Sequence, residues 1–171
     1  DVSSFTEPRR GGILTGSLMQ TKFSLIRTDS SNDDFRVLAT ALDEELIIRD
    51  GENFQFYADL NKTAFLKYAV VLYEGGSAVG CGSFKTYADG IMELKRMYVL
   101  PAKRGKGIAS AILNALEDWC RELKMKKCIL ETGRNQPEAI ALYEKHGYSN
   151  IPSYGKYQGS ENSVCFEKKL I

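Results

Sequence analysis

The sequence predicts one mixed α/β domain with an antiparallel front half and a βαβ-like unit behind it. Its 171 residues are the length of a single domain, and 43% hydrophobic with 26% charged residues is an ordinary globular composition. Apolar runs with strand-like and helical spacing follow one another in the order strand, helix, three strands, helix, strand, helix, strands. The turn sequences at 74–77 (Glu-Gly-Gly-Ser) and 88–90 (Ala-Asp-Gly) join the three central strands, which indicates an antiparallel meander.

The individual elements follow from local spacing and turn residues. In the first strand, 22–28, Phe23 and Leu25 alternate with polar residues; a helix begins after cap candidates at 29–33 and ends at Asp50-Gly51. Residues 52–62 fit either a short helix or a loop that borders the substrate. The further predicted elements are strands at 68–73, 78–87 and 91–100, a helix at 106–124, a strand at 127–131, a helix at 137–146, and strands at 148–151 and 163–169.

The beginning of the chain carries little pattern. Residues 1–18 are rich in serine, glycine and arginine, and Met19 stands directly before the first strand. We therefore expect residues 1–18 to be an added or upstream extension and residues 19–171 to be the domain. No apolar run approaches the ~20 residues of a membrane span, and no signal peptide is visible. We expect a cytoplasmic protein that has no membrane partner.

Charge and cysteine usage exclude some classes of protein. The net charge of +1 argues against a nucleic-acid partner, since such proteins are usually clearly basic. The single histidine, His146, excludes a multi-histidine metal site, and we expect no metal. The cysteines form no CxxC pair and are expected to be buried free thiols in a reducing compartment. They are Cys81, Cys120, Cys128 and Cys165.

A phosphate site is predicted after the strand at 91–100. That strand ends at Pro101, a basic glycine-containing turn follows, and a helix begins. A helix N-terminus carries about half a positive charge and several unpaired N–H donors, so it is a ready site for phosphate. Gly105 and Gly107 would let the backbone approach the ligand where a Cβ would collide with it.

The spacing of the turn separates three kinds of phosphate ligand. A Walker A loop needs four residues between its glycines and a Lys-Ser/Thr end, which the sequence Gly-Lys-Gly-Ile-Ala lacks. A dinucleotide-binding turn needs glycine or alanine where this chain has Ser110. The pattern Arg/Gln-x-x-Gly-x-Gly/Ala is met by Arg104, Gly107 and Ala109.

A second motif completes a family resemblance. Residues 135–148 read Asn-Gln-Pro-Glu-Ala-Ile-Ala-Leu-Tyr-Glu-Lys-His-Gly-Tyr. Together the two motifs resemble the GCN5-related N-acetyltransferase (GNAT) superfamily, over roughly residues 22–170. The resemblance implies acetyl-CoA as cosubstrate, a GNAT-like sheet with splayed central strands and flanking helices, and a strand before the turn that parts from its neighbour at a bulge.

The resemblance also implies which residues hold the donor. The pyrophosphate would lie on the turn and helix start, and the pantetheine arm and thioester would lie along the strand, where the N–H of Met97 would polarise the thioester carbonyl. Asn135 would contact the pantetheine or cap the following helix. The implied donor residues are Met97, Tyr98, Val99, Arg104, Gly105, Lys106, Gly107, Ile108, Ala109, Ser110 and Asn135.

Two side chains are candidates for proton transfer. Glu93 stands where some family members carry a glutamate base, and its alternative is a solvated carboxylate that pairs with Lys95 or Arg96. Tyr143 matches the tyrosine that commonly protonates the departing thiolate, and its alternative is a half-buried aromatic residue on a helix. His146 matches no catalytic position and is interpreted as complementing the dipole at a helix C-terminus.

The acceptor is less constrained than the donor. The first helix and the segments 54–68 and 152–162 would contact a small-molecule amine or amino acid, and a homodimer stays open. Alternatives are a protein N-terminal or lysine acetyltransferase and a CoA-binding sensor without catalysis. Candidate pocket residues are Tyr154, Tyr157 and Glu161, and candidate partners of a substrate carboxylate are Lys95, Arg96 and Lys156.

Overall fold

A computed structural model describes residues 22–51 and 65–171 of the chain. The expectations for residues 1–18, Met19 and most of the segments 52–62 and 54–68 therefore lie outside the described residues. The helices are α1 (Asp33–Asp50), α2 (Ile108–Glu122) and α3 (Pro137–Lys145). The strands are β1 (Phe23–Thr28), β2 (Tyr68–Glu74), β3 (Ser77–Ala88), β4 (Ile91–Val99), β5 (Lys127–Gly133), β6 (Ser149–Ile151) and β7 (Ser163–Lys169).

Within these residues the strands form one mixed sheet in the order β1-β2-β3-β4-β5-β7-β6. Strands β1 to β4 pair antiparallel with their sequence neighbours, and the two turn signals predict this for β2, β3 and β4. Strand β5 lies parallel to β4 because α2 carries the chain back across the sheet. Strand β7 then inserts antiparallel between β5 and β6. The predicted mixed α/β fold with an antiparallel front half is confirmed.

A bulge in β4 opens the middle of the sheet. Ser83 pairs with Lys95 and Cys81 pairs with Tyr98, so Gly82 faces two residues of β4, and one of these, Arg96, has a φ of +58°. Strand β4 pairs with β5 only through its first three residues, Ile91 to Glu93. Beyond that point the two strands separate, as the family resemblance implies. The gap between them is where the candidate site lies.

Helices cover both faces of the sheet. Helix α2 places Ile112, Leu113 and Leu116 in the larger core cluster, and α1 places Phe35 and Leu38 in the smaller one. The close approach of α2 needs glycine in β3. A Cβ on Gly82 would lie 2.5 Å from the sulfur of Met97 and 2.8 Å from Ile112, and one on Gly80 would lie 2.8 Å from Ile112.

Two boundaries differ from the predicted ones and both affect the site. Helix α2 begins at Ile108 rather than at 106, because its N-cap residue Gly107 is left-handed with a φ of +80°. Strand β5 continues to Gly133, two residues past its predicted end, because it pairs with β7 along that whole length. Glu131, the last residue of the predicted strand, therefore lies inside β5.

The structure also tests the predictions about the cysteines and about membrane-spanning helices. All four cysteines are buried with free thiols, as predicted. None of the helices in the described ranges has both the length and the apolar character that crossing a bilayer requires.

Candidate functional site

A cavity of about 460 Å³ occupies the gap between the separated ends of β4 and β5. Its walls come from the end of β4, the basic turn, the first residues of α2, the end of β5, and α3, with α1 contributing from one side. The predicted site residues that line it are Met97, Tyr98, Val99, Arg104, Gly105, Gly107, Ile108, Ala109, Ser110 and Tyr143. Glu93, Lys106 and Asn135 are outside the set of lining residues.

The N-terminus of α2 forms part of the cavity wall. Among the described residues no side chain caps this helix, and its first turn contains no acidic residue. The N–H groups of that turn are therefore suited to an anionic ligand. Gly105 has a φ of +79° and open space around its Cβ position, so its backbone conformation requires glycine there, whatever the ligand.

Arg104 links this turn to two other elements. Its Nε donates to the carbonyl oxygen of Val99 at 2.9 Å, and its guanidinium makes a two-pronged ion pair with Glu45 of α1 at 3.0 and 2.7 Å. The hydrogen bond from Arg104 holds the pKa of the Glu45 carboxyl below its ordinary value. Arg49, one turn along α1, pairs with Glu45 and also with Glu138 of α3. Charged contacts thus join α1 to two walls of the cavity.

Tyr143 of α3 is another residue of the cavity wall. Its side chain is 5% exposed, and its ring packs against Tyr148 and Phe166 at centroid distances of 5.6 and 6.1 Å. Burial raises the pKa of the phenol well above its ordinary value, and the charge of Glu131 adds to the rise. The hydroxyl therefore keeps its proton at neutral pH, and the raised pKa makes it a weaker acid than a solvated tyrosine.

Glu93 pairs with Lys95, as one of its two alternatives predicts, but it is buried instead of solvated. The residue is 3% exposed and its carboxylate accepts a 2.6 Å hydrogen bond from the hydroxyl of Tyr154. It also lies 3.3 Å from the ammonium of Lys95 and 3.7 Å from that of Lys85. The carboxylate is thus neither a solvated surface group nor part of the cavity wall.

The residues predicted for the acceptor are only partly brought together. Lys95 and Tyr157 line the cavity, and the Lys95 ammonium donates to the Tyr157 hydroxyl at 2.8 Å. Burial lowers the pKa of Lys95, and the neighbouring Glu93 opposes this. Arg96 also lines the cavity, with its guanidinium paired to Asp43 of α1. The other predicted acceptor residues, Tyr154, Lys156 and Glu161, are not among the lining residues.

Asn135 and His146 make contacts that the sequence does not indicate. The amide of Asn135 lies 3.5 Å from the carbonyl oxygen of Arg49 and also bonds to Asp50, so it joins the loop before α3 to the end of α1. His146 lies 2.9 Å from the hydroxyl of Ser110. Burial lowers the pKa of His146, which works against the cationic form that the dipole interpretation needs.

Sequence reasoning missed Glu131, the carboxylate on the β5 side of the cavity. Its Oε1 is buried and has no hydrogen-bond partner among the described residues. Burial raises its pKa to about 7, against the opposing hydrogen bond of Ser163. Asp50 of α1 lines the same cavity, and burial raises its pKa as well. The available signal was a carboxylate directly after the apolar run Cys-Ile-Leu of β5.

Comparisons with known proteins identify the family of this chain. Residues 30–148 match the acetyltransferase (GNAT) family model. An IAA acetyltransferase of Azospirillum brasilense is 36% identical over 102 residues, which are 59% of this chain and 67% of that protein. The uncharacterized N-acetyltransferase YjgM of Escherichia coli K12 is 44% identical over 87 residues, which are 49% of this chain and 52% of that protein. The chain thus spans about half to two thirds of these curated relatives.

Solved structures give the same result for the fold. A Klebsiella pneumoniae protein assigned as an acyl-CoA N-acyltransferase superposes with a TM-score of 0.72 at 30% identity, over 87% of this chain and 98% of that one. The PaiA N-acetyltransferase of Thermoplasma acidophilum, solved with coenzyme A, gives a TM-score of 0.61 at 19% identity, over 85% and 99% of the two chains. With a family model across more than half of its length and these structural neighbours, the chain belongs to the GNAT family of acetyltransferases.

Proposed function

We propose that this acetyltransferase transfers the acetyl group of acetyl-CoA to a primary amine of a small molecule or amino acid. The observation that carries the proposal is the cavity between β4 and β5, whose wall contains both an uncapped helix N-terminus and the buried phenol of Tyr143. An anionic tail and a reacting thioester need those two environments in one continuous space.

The residues present fit the donor. The first turn of α2 and the turn before it offer backbone N–H groups and the guanidinium of Arg104 to a pyrophosphate. Met97 lies in the bulge, outside the register that pairs β3 with β4 and beyond the pairing of β4 with β5. Its N–H is our candidate for the donor that stabilises negative charge on the thioester oxygen. When bound, acetyl-CoA supplies the activated acyl group.

Tyr143 is the proposed general acid. The departing sulfur needs a proton as its bond to the acetyl carbon breaks, and a positioned hydroxyl supplies one. The phenol is protonated across the neutral range, and its raised pKa favours that form further. Glu93 as general base stays a prediction of the sequence, and its contacts with Tyr154 and Lys95 would require a relay between its carboxylate and the acceptor.

Turnover against a panel of acceptors tests the function. We would follow thiol release from acetyl-CoA in the presence of alkyl amines, amino acids, and peptides with a free N-terminus or lysine. The proposal expects release that depends on a small amine or amino acid. A preference for peptides would favour the protein acetyltransferase alternative. Tight CoA binding with no release on any acceptor would contradict the proposal and favour a sensor.

A further inference from the structure

We infer that Glu131 is the general base that takes a proton from the acceptor ammonium. This inference rests on the proposed acetyl transfer and gives one of its steps to a residue on β5. Strand β5 continues past its pairing with β4, and there Glu131, Thr132 and Gly133 form one wall of the cavity. The carboxylate thus lies where a reacting amine would enter the gap between the strands.

One carboxylate oxygen of Glu131 has room in its hydrogen bonding for a donor from a ligand. Its Oε1 is buried and has no partner within the described residues. A buried carboxylate oxygen without a donor is costly, and folded proteins seldom retain one without a reason. An N–H of a bound ammonium would satisfy this oxygen, since an ammonium is a donor only. The substrate supplies the missing contact.

The groups around Glu131 set its affinity for a proton. Lys95 of β4 favours the charged form, as does the hydrogen bond with Ser163 of β7. Asp50 of α1 and Glu93 of β4 disfavour it, and burial disfavours it most. The balance leaves the pKa at about 7, which suits a base that must both accept and release a proton near neutral pH.

The neighbouring acid completes this environment. Tyr143 of α3 lines the same cavity, and the charge of Glu131 contributes to its raised pKa. Two titratable groups with separated proton affinities therefore face one space, which is the arrangement that acid and base catalysis requires. Glu93 lacks this arrangement, since its oxygens are held by Tyr154 and Lys95 outside the cavity wall.

The protons and bonds balance without another reactant. The ammonium gives one proton to Oε1 of Glu131 and becomes a neutral amine. The nitrogen lone pair forms the C–N bond at the thioester carbon, and the C–S bond breaks as the sulfur takes the proton of Tyr143. The second proton of the nitrogen restores that phenol, and Glu131 returns its own proton to water.

The pH dependence of kcat/KM separates the two glutamates. We would compare the wild type with Glu131→Gln and Glu93→Gln, using an amine that the wild type accepts. We expect the kcat/KM of the wild type to rise through pH ~7. At pH 7 the kcat/KM of Glu131→Gln should be ~100-fold lower, and it should recover at higher pH as the amine itself deprotonates. Glu93→Gln keeps the rise near pH 7. Glu167→Gln, in β7, changes a strand carboxylate paired with Lys127 and is the matched control.

Each result supports or overturns the inference. A Glu131→Gln profile like that of the wild type, or a rise near pH 7 lost only in Glu93→Gln, overturns it while acetyl transfer stands. Absence of turnover on every amine overturns the proposed function and this step together. Should Glu131→Gln bind acetyl-CoA poorly, Glu131→Asp replaces it. That variant keeps a carboxylate and is expected to lower the rate without removing the rise near pH 7.

Discussion

At the residue scale, the site depends on burial more than on charge. Tyr143 and Glu131 both lie in the wall of a largely apolar gap, and burial is the first cause of the raised pKa of each. The same cause makes the phenol a persistent proton donor and the carboxylate a base that works near pH 7. Neither effect is visible in the sequence, because burial depends on which strands separate.

The raised pKa of Glu131 predicts a pH-dependent stability difference. Its pKa rises from 4.5 to about 7 on folding, so the folded state binds a proton more tightly than the unfolded state. The stability from this group is complete below pH 4.5 and is lost as the pH rises to about 7. Glu131→Gln removes this loss. We expect the free energy of unfolding of Glu131→Gln, measured relative to the wild type, to increase by roughly 2 kcal/mol between pH 5 and pH 8. This corresponds to a relative rise of about 4–8 °C in Tm.

Thermal unfolding at a series of pH values measures this difference. Glu167→Gln is the control, and its Tm should follow that of the wild type across the range. A difference between Glu131→Gln and the wild type that stays constant from pH 5 to pH 8 would show that the carboxyl does not titrate abnormally.

At the element scale, α1 and the bulge in β4 shape the site together. Before the bulge, Met92 and Leu94 face the larger core cluster on the α2 side. The extra residue at the bulge shifts the alternation, so that Val99 also faces that side and Tyr98 faces α1. Helix α1 is held against this region by the ion pair of Arg96 with Asp43 and by that of Arg104 with Glu45.

Because Arg104 and Glu45 form an ion pair, we expect substitutions of the two residues to have opposite effects on the binding of acetyl-CoA. Arg104→Ala removes a cation from the phosphate end of the cavity, and we expect the KM for acetyl-CoA to rise by about tenfold with little change in kcat. Glu45→Gln removes the carboxylate that compensates this cation, and we expect the KM to fall severalfold. Initial rates at low and high salt test both, since screening should reduce the effect of Glu45→Gln. Equal increases in KM would contradict the account.

The glycine opposite the bulge predicts a packing effect. In Gly82→Ala the new Cβ would lie 2.5 Å from the sulfur of Met97 and 2.8 Å from both Ile112 and Leu116, so these side chains must move. We expect a loss of about 1–3 kcal/mol in the free energy of unfolding and weaker acetyl-CoA binding. Denaturant unfolding and calorimetry measure the two effects. Ser77→Ala, at the exposed start of β3, should leave both unchanged; a stable Gly82→Ala would contradict the packing argument.

At the scale of the whole molecule, the sequence predicts the order of elements along the chain better than it predicts which strands lie side by side in the sheet. Strands, helices and the phosphate turn follow from local spacing, and the two motifs place Arg104 and Tyr143 at one cavity. The insertion of β7 between β5 and β6 is non-local, and no local pattern indicates it. Glu131 was missed because its place in the cavity wall depends on where β4 and β5 separate, which no local pattern indicates either. The contact of Glu93 with Tyr154 likewise joins residues that are 61 positions apart.

The most direct measurement of the central claim is amine-dependent thiol release from acetyl-CoA by the wild type and by Tyr143→Phe. Phenylalanine retains the ring that packs against Tyr148 and Phe166 and removes only the hydroxyl. For Tyr143→Phe we expect a kcat lower by about 100-fold with a nearly unchanged KM for acetyl-CoA. Equal kcat values in the two proteins would contradict the role of Tyr143, and release that does not depend on an amine would contradict acetyl transfer itself.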